Sequence, residues 1–403
     1  MPRYLFLFSP TASHIMSSLP IASELIARGA EVVYYAPAEY APWFKTIGAE
    51  HRTIEIYEQH PASFWVDPLV SPLLRIYTHL VKQTATVLPQ IVSLVVKEHA
   101  DAIVYDGMCL WARFVKDLLC IPAITVRISF AATPDCNVFR ESSDSIYAPT
   151  YGDASDRLRL IRDLNTSLKK DFGFQVPGAW SIFTHSGVLN LVQVPREIHP
   201  AADNFDNRFE FVGPFFVGPR PHYIAENMPT SIYLEGEEPL VYISFGTSEL
   251  NTNLELYQIC FEALGQRRVR VLMSYGANLD VRALGSIPAN FQIASRLPQF
   301  SILKQVDLFI SHGGWCSVME SLYQGTPMIM LPMMKEHQII ANLITGRKAA
   351  ISFMPNQLTS IQLAEAVDQV LGSTDYQKNA ATLGRIIGTS GGYLRAADLI
   401  QQQ

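Results

Sequence analysis

At 403 residues the chain is longer than one hydrophobic core normally serves, so two domains are expected. Its 48% apolar and 17% charged content is that of a globular protein, and a net charge of −6 argues against the clustered basic surface of a nucleic-acid binder. Cys109, Cys120, Cys136, Cys260 and Cys316 are scattered and form no C-x-x-C, so neither a zinc knuckle nor a disulfide framework is indicated.

The apolar run Leu5–Phe8 reads as a buried strand. A helix follows, with Leu19, Ala22 and Leu25/Ile26 on one face, and Gly29 ends it. The turn between them has no G-x-G-x-x-G and carries His14 instead. "EVVYYA" (31–36) is a second strand, 80–98 a long helix containing Pro89, and "DAIVYD" (101–106) a third strand. "WARFVKDLLC" reads as a helix and "IPAITVRIS" as a fourth strand. This alternation specifies a parallel sheet with helices on both faces. Residues 134–180 are polar and weakly patterned, an irregular helical insertion, and "VLNLVQVP" (188–195) is expected to be the last strand of this half.

Residues 213–239 hold five prolines and three glycines and mark a linker. The alternation then restarts with "LVYISFG", "NLELYQICFEALGQ", "RVRVLMSY", "VDLFISHGG" and "PMIMLP". Thr359 and Gln362 form a capping box before "IQLAEAVDQVL". The expected division is an α/β domain over 1–215, a linker over 216–236, a second α/β domain over 237–385 and a C-terminal helix over 386–403. The N-terminal apolar run is too short for a signal peptide, and Pro327–Met334 is too short to span a bilayer and is broken by Pro332. A cytoplasmic protein is expected.

The most informative segment is "DLFISHGGWCSVMESLYQGTPMIMLP" (307–332). A strand delivers His312-Gly313-Gly314 to a helix N-terminus, where free N–H groups and the positive dipole end attract an anion. The glycines allow close approach to the backbone. Ser317 adds a hydroxyl, His312 a donor, and Glu320 one turn on can accept from ribose hydroxyls. "SFGTS" (244–248) and "SRLPQFSIL" (295–303) fall at comparable strand ends, where open α/β sheets bind ligands.

With these residues in view, the chain resembles the family 1 (UDP-glycosyltransferase superfamily) glycosyltransferases, most of all the bacterial macrolide and flavonoid types. The likeness runs from "LIARGAEVVYYA" through "REIHPAADNFDNRFEFVGP" to the segment His312–Gln338. It implies the GT-B fold, two Rossmann-like doubly wound domains facing across a cleft, and a nucleotide-sugar donor. The family pattern H-x-G-x-x-S-x-x-E falls on His312, Gly314, Ser317 and Glu320, implying that the first three hold the diphosphate and Glu320 the ribose. Trp315 and Cys316 lie within it, Cys316 where relatives often have Asn. Gly246, Thr247 and Ser248 should border the diphosphate, and the loop of Arg296, Leu297 and Gln299 the nucleobase. Arg296 stands where many relatives stack an aromatic ring on the base, and a guanidinium can stack too. Glu336, His337 and Gln338 fall where relatives grip the sugar, His337 in place of the usual Asp. Uracil with glucose is the default donor, and thymidine-linked or modified sugars remain open.

Transfer to an acceptor hydroxyl needs a base, and histidine titrates near neutrality. His14 lies just beyond the first strand, and the resemblance implies that it is this base. A carboxylate would orient it, and Asp106 can reach it if the strand "AIVYD" lies beside the first; the alternative role for Asp106 is a helix N-cap. The implied reaction inverts the anomeric carbon without a metal, in keeping with the absence of D-x-D and of metal-ligand spacing. No cofactor is expected, the UDP- or TDP-sugar being a co-substrate. Aromatic-rich segments around Phe64, Trp65, Met108, Trp111 and Phe130 are candidate walls for a hydrophobic acceptor such as a macrolide or phenol. The role would be antibiotic biosynthesis or resistance, in a monomer or homodimer. Two alternatives are a sugar-nucleotide epimerase of this architecture, which needs no His-Asp dyad, and a silent auxiliary partner, which should have lost the dyad or the phosphate signature.

Overall fold

The computed structural model describes residues 1–56, 72–133, 154–179, 181–184, 187–216, 232, 235–246, 253–276 and 279–403. It divides into two compact units, Met1–Ile224 with Ser390–Gln403, and Ala225–Thr389.

The first unit contains β1 (Arg3–Leu7), α1 (Ala12–Ala27), β2 (Glu31–Ala36), α2 (Ala41–Ile47), β3 (Glu50–Thr53), α3 (Pro72–Val95), β4 (Ala102–Asp106), α4 (Leu110–Leu119) and β5 (Ala123–Arg127). They are followed by α5 (Ala154–Phe172), α6 (Ser181–Thr184), β6 (Leu189–Val192) and β7 (Phe209–Phe211). The strands form one parallel sheet in the order β3-β2-β1-β4-β5-β6-β7. Every residue of β4, β5 and β6 is buried, which explains their unbroken apolar runs: interior strands of a parallel sheet are covered on both faces. The expectation that 188–195 ends this sheet is corrected by β7, a three-residue strand that pairs with β6 through Asn190–Phe209. Its brevity hides it from periodicity.

The second unit contains β8 (Leu240–Ser244), α7 (Leu254–Leu264), β9 (Arg270–Ser274), β10 (Phe291–Ala294), α8 (Gln299–Leu303), β11 (Leu308–Ser311), α9 (Trp315–Tyr323) and β12 (Met328–Met330). It continues with α10 (Lys335–Thr345), β13 (Ala350–Ser352), α11 (Ser360–Leu371) and α12 (Thr374–Gly388). Its sheet is parallel, in the order β10-β9-β8-β11-β12-β13. The Thr359–Gln362 capping box forms as read from the sequence, starting α11 with two backbone N–H groups satisfied.

The last helix, α13 (Gly392–Gln401), belongs to the first unit and packs on α1. Tyr393, Ala396, Leu399 and Ile400 join Ile15, Leu19 and Leu25 in one buried cluster. Each large apolar side chain there contributes about 1.5–3 kcal/mol. The exposed Arg28–Asp398 ion pair at 2.6 Å adds little beside that burial.

Both sheets reverse their winding beside the first strand of the unit. In the first unit the switch lies between β1 and β4, and in the second between β8 and β11. Crevices for ligands open at the carboxyl ends of such strand pairs. His14 and Asp106 lie at the first of these places, and Gly246, His312 and Gly314 at the second.

Candidate active site

At the first switch point, register places Leu7 beside Tyr105, so the chain leaving β1 runs next to Asp106 at the end of β4. α1 begins at Ala12, which puts His14 in its first turn. His14 Nδ1 and Asp106 Oδ2 are in direct hydrogen-bond contact, although 92 residues separate them. Asp106 Oδ2 also accepts from the Ser9 N–H at 3.3 Å, and Oδ1 from the Met108 N–H at 2.9 Å. The side chain of Asp106 is 3% exposed and that of His14 is 27% exposed, so the carboxylate is sealed while part of the imidazole is accessible.

Burial pushes the Asp106 carboxyl up. The charge and hydrogen bond of His14, with the two N–H groups, outweigh this and hold it below the usual carboxylate range. An ionised carboxylate only accepts, so His14 Nδ1 carries the proton and Nε2 is the basic nitrogen. The alternative role for Asp106 is not the one seen, because the residue at the N-cap of α4 is Cys109. Beneath the pair, Arg113 Nη2 donates to the Gly107 carbonyl at 3.2 Å.

At the second switch point, Ser311 pairs with Ser244, so His312 and the Phe245-Gly246 turn emerge side by side. A Cβ on Gly246 would lie 2.7 Å from His312 Cε1, and one on Gly314 would lie 2.5 Å from His312 Nε2. Only glycine admits the ring between these two backbones, and Gly246 is also at φ +85°. Gly314 is the N-cap of α9 and supplies no side-chain bond, so the first-turn N–H groups of Trp315, Cys316 and Ser317 are not capped by it.

Gln299, at the start of α8, donates through Nε2 to Ser317 Oγ at 3.1 Å and to Glu320 Oε2 at 2.7 Å. One amide thus ties the hydroxyl and the carboxylate of α9 together, a link that the sequence pattern alone did not reveal. His337, in the first turn of α10, meets His312 edge-to-face at 4.8 Å between ring centroids. Burial pushes His312 down to about 4, opposed by a backbone hydrogen bond at Ser244. Burial and the neighbouring His312 push His337 down to about 3. Both rings are neutral at physiological pH. Gln338 turns along its own helix, its Nε2 donating to Asn342 Oδ1 at 2.8 Å.

The other predicted residues are distributed unevenly. Arg296 is exposed between β10 and α8, Glu336 is half-buried in the first turn of α10, and Cys316 is exposed in that of α9. Leu297 and Trp315 are buried, at 5% and 6% exposure. Thr247, Ser248, Phe64 and Trp65 lie outside the described residues. Among the acceptor candidates Met108 is half-buried. Trp111 is corrected: it is fully buried in the core with Leu5, Leu7 and Tyr105, not on an accessible wall. Phe130 is 4% exposed and packs edge-on against His199. Aromatic content alone does not separate a wall from a core. Among the described residues no helix is long and apolar enough to cross a membrane.

Residues 204–388 match the family model described as UDP-glucoronosyl and UDP-glucosyl transferase. The NDP-glycosyltransferase YjiC of Bacillus licheniformis is 29% identical over 97% of this chain and 95% of its own. The demethyllactenocin mycarosyltransferase of Streptomyces fradiae is 26% identical over 100% of this chain and 86% of its own. The solved structure of the glycotransferase of kitacinnamycin superposes with a TM-score of 0.82 at 24% identity, covering 100% of this chain and 99% of its own. Two parallel doubly wound sheets give the chain the fold of this solved glycosyltransferase, and in sequence it is similar along almost its whole length to bacterial NDP-glycosyltransferases.

Proposed function

We propose that the chain is an inverting, metal-independent transferase that moves a sugar, glucose by default, from a UDP or TDP donor to a hydroxyl of a hydrophobic small molecule. The observation that carries this reading is the His14–Asp106 contact. His14 Nε2 takes the proton of the acceptor hydroxyl, while Asp106 stabilises the imidazolium that forms. The acceptor oxygen bonds to the anomeric carbon from the face opposite the leaving group. The bond to the diphosphate oxygen breaks with its electron pair, which inverts the centre.

The leaving diphosphate needs its charge taken up. The N–H groups at the start of α9, with His312 and Ser317, supply that role, and Glu320, oriented by Gln299, accepts from the ribose. Neutral His312 contributes hydrogen bonding rather than a positive charge. His337 and Gln338 meet the sugar, and because His337 is neutral, the site favours sugars that need no carboxylate partner at that position. A macrolide- or phenol-like acceptor is supported by what its relatives are named for, mycarosyl transfer among them.

The test is transfer from UDP-glucose and TDP-glucose to a panel of phenolic and macrolide acceptors, with products read by mass spectrometry. The reading predicts a β-configured glycoside from an α-configured donor, with turnover unchanged by EDTA. If neither nucleotide sugar binds, it fails.

A further inference from the structure

The second unit holds a cavity of about 450 Å³ that shares only Gln338 with the residues assigned to the proposed transfer. Small-molecule sites run from roughly 300 to 1,000 Å³. The cavity lies among α10, the edge strand β13 and the α11–α12 pair, and none of its lining side chains is charged. A phosphate or carboxylate would find no cation there, so the ligand it suits is neutral.

Its polar surface is made of groups that both give and take hydrogen bonds. The amides of Gln338, Asn342 and Gln369 and the hydroxyls of Ser352 and Tyr376 line it. Gln369 Nε2 already donates to the Tyr376 hydroxyl at 2.8 Å, which fixes both heads against the cavity. Among the described residues β13 is an edge strand, paired with β12. Phe353 and Tyr376 also line it. Amide and hydroxyl groups beside aromatic side chains suit the hydroxyls and C–H faces of a sugar ring.

One atom asks for such a partner. Gln338 donates through Nε2 to Asn342, yet its Oε1 is buried and has no hydrogen-bond partner. A buried acceptor left unsatisfied costs about 1–3 kcal/mol, and a ligand hydroxyl would relieve it.

We propose that this cavity binds a neutral pyranoside ring, and that Gln338 joins it to the sugar end of the donor site. Its meaning for catalysis rests on the transferase reading above. The substrate class it implies is a donor or glycoside that carries a second neutral ring. That ring has two sources, an extension of the donor's own sugar or a free glycoside.

The experiment is saturation-transfer NMR on the full chain with methyl β-D-glucopyranoside and with maltose. Transfer to the ring protons is expected, with binding weakened at least fivefold in Asn342→Leu and in Gln369→Leu; both positions are exposed, so the fold should tolerate the changes. A signal that UDP-glucose leaves and a UDP-linked disaccharide removes assigns the ring to an extension of the donor's own sugar. One that survives both assigns it to a free glycoside, and one that UDP-glucose itself removes overturns the inference. No transfer to either saccharide in the wild type, or leucine variants that bind as the wild type does, overturns the inference. A chain that binds the saccharide but transfers no sugar defeats the transferase reading alone, and a chain that transfers but binds neither saccharide defeats this inference alone.

Discussion

Replacing Asp106 by Asn keeps the volume of the side chain and removes its charge. Oδ1 holds the Met108 N–H at 2.9 Å, so the amide oxygen of Asn stays there and its NH2 turns toward His14. An NH2 only donates, so His14 Nδ1 must accept, and the proton moves to Nε2, the atom that should receive one from the acceptor. The charged hydrogen bond that is lost is worth about 1.5–3 kcal/mol, or roughly 10- to 150-fold. Loss of a competent base adds to this, and such bases contribute about 10²- to 10⁴-fold. The expected result is a fall in kcat of about 10³-fold or more. The Ser9 N–H, 3.3 Å from Oδ2, would then face a donor, which costs a further 1–3 kcal/mol or so of stability. Steady-state transfer from UDP-glucose to an acceptor found in the panel, run beside calorimetric titration with UDP, separates turnover from nucleotide affinity. A folded Asp106→Asn enzyme with kcat within threefold of the wild type would refute the dyad.

Three further outcomes follow from the geometry. Gly246→Ala places a Cβ 2.7 Å from His312 Cε1 at a positive φ, so His312 must move; UDP affinity should fall by about tenfold, and an unchanged dissociation constant would contradict the site. Thr359→Ala removes the cap of α11 and should lower unfolding free energy by about 1 kcal/mol in urea titrations, leaving turnover unchanged. His199, His312 and His337 have pKa values lowered to about 4, about 4 and about 3, all depressed chiefly by burial. The unfolded chain, with histidine at about 6.5, takes up protons first, so this stability is full above roughly pH 7 and is lost as pH falls toward 4. Between pH 7 and 5 a well-buried ring such as His199 loses roughly 2 kcal/mol, and the partly exposed His312 less. Denaturant midpoints that stay level from pH 7.5 to 5 would contradict it.

Much of this architecture is legible in the chain because interior parallel strands are apolar throughout. β1, β4 and β8 announce themselves for that reason. β3 does not: its residues are Glu50, His51, Arg52 and Thr53, and it is held at the edge by charge. Arg3 contacts Glu50 at 2.8 Å and Glu98 at 2.6 Å, and Arg52 contacts Glu98 at 2.8 Å, a network that no hydrophobic pattern records. β10 and β13 are edge strands of four and three residues, too short for a period to show.

The site divides in the same way. His312, Gly314, Ser317 and Glu320 are close in sequence, and a helix start dictates their arrangement. The meeting of His14 with Asp106 depends on β1 lying beside β4, which is a property of topology and not of spacing. The His312–His337 ring contact and the bridge from Gln299 to Ser317 and Glu320 are likewise tertiary, and neither residue type nor interval announces them. Trp111 failed for the opposite reason, since an aromatic in a helix looks the same in sequence whether it lines a wall or fills a core.

The central claim is that the base belongs to one unit and the groups that hold the nucleotide belong to the other. His14 lies in Met1–Ile224 and His312 in Ala225–Thr389. His14→Ala, measured for both transfer and UDP binding, tests this most directly. The account predicts that transfer falls by about 10³-fold or more while the dissociation constant of UDP stays within about twofold of the wild type. Transfer at the wild-type rate, or nucleotide binding lost together with transfer in a folded protein, would contradict it.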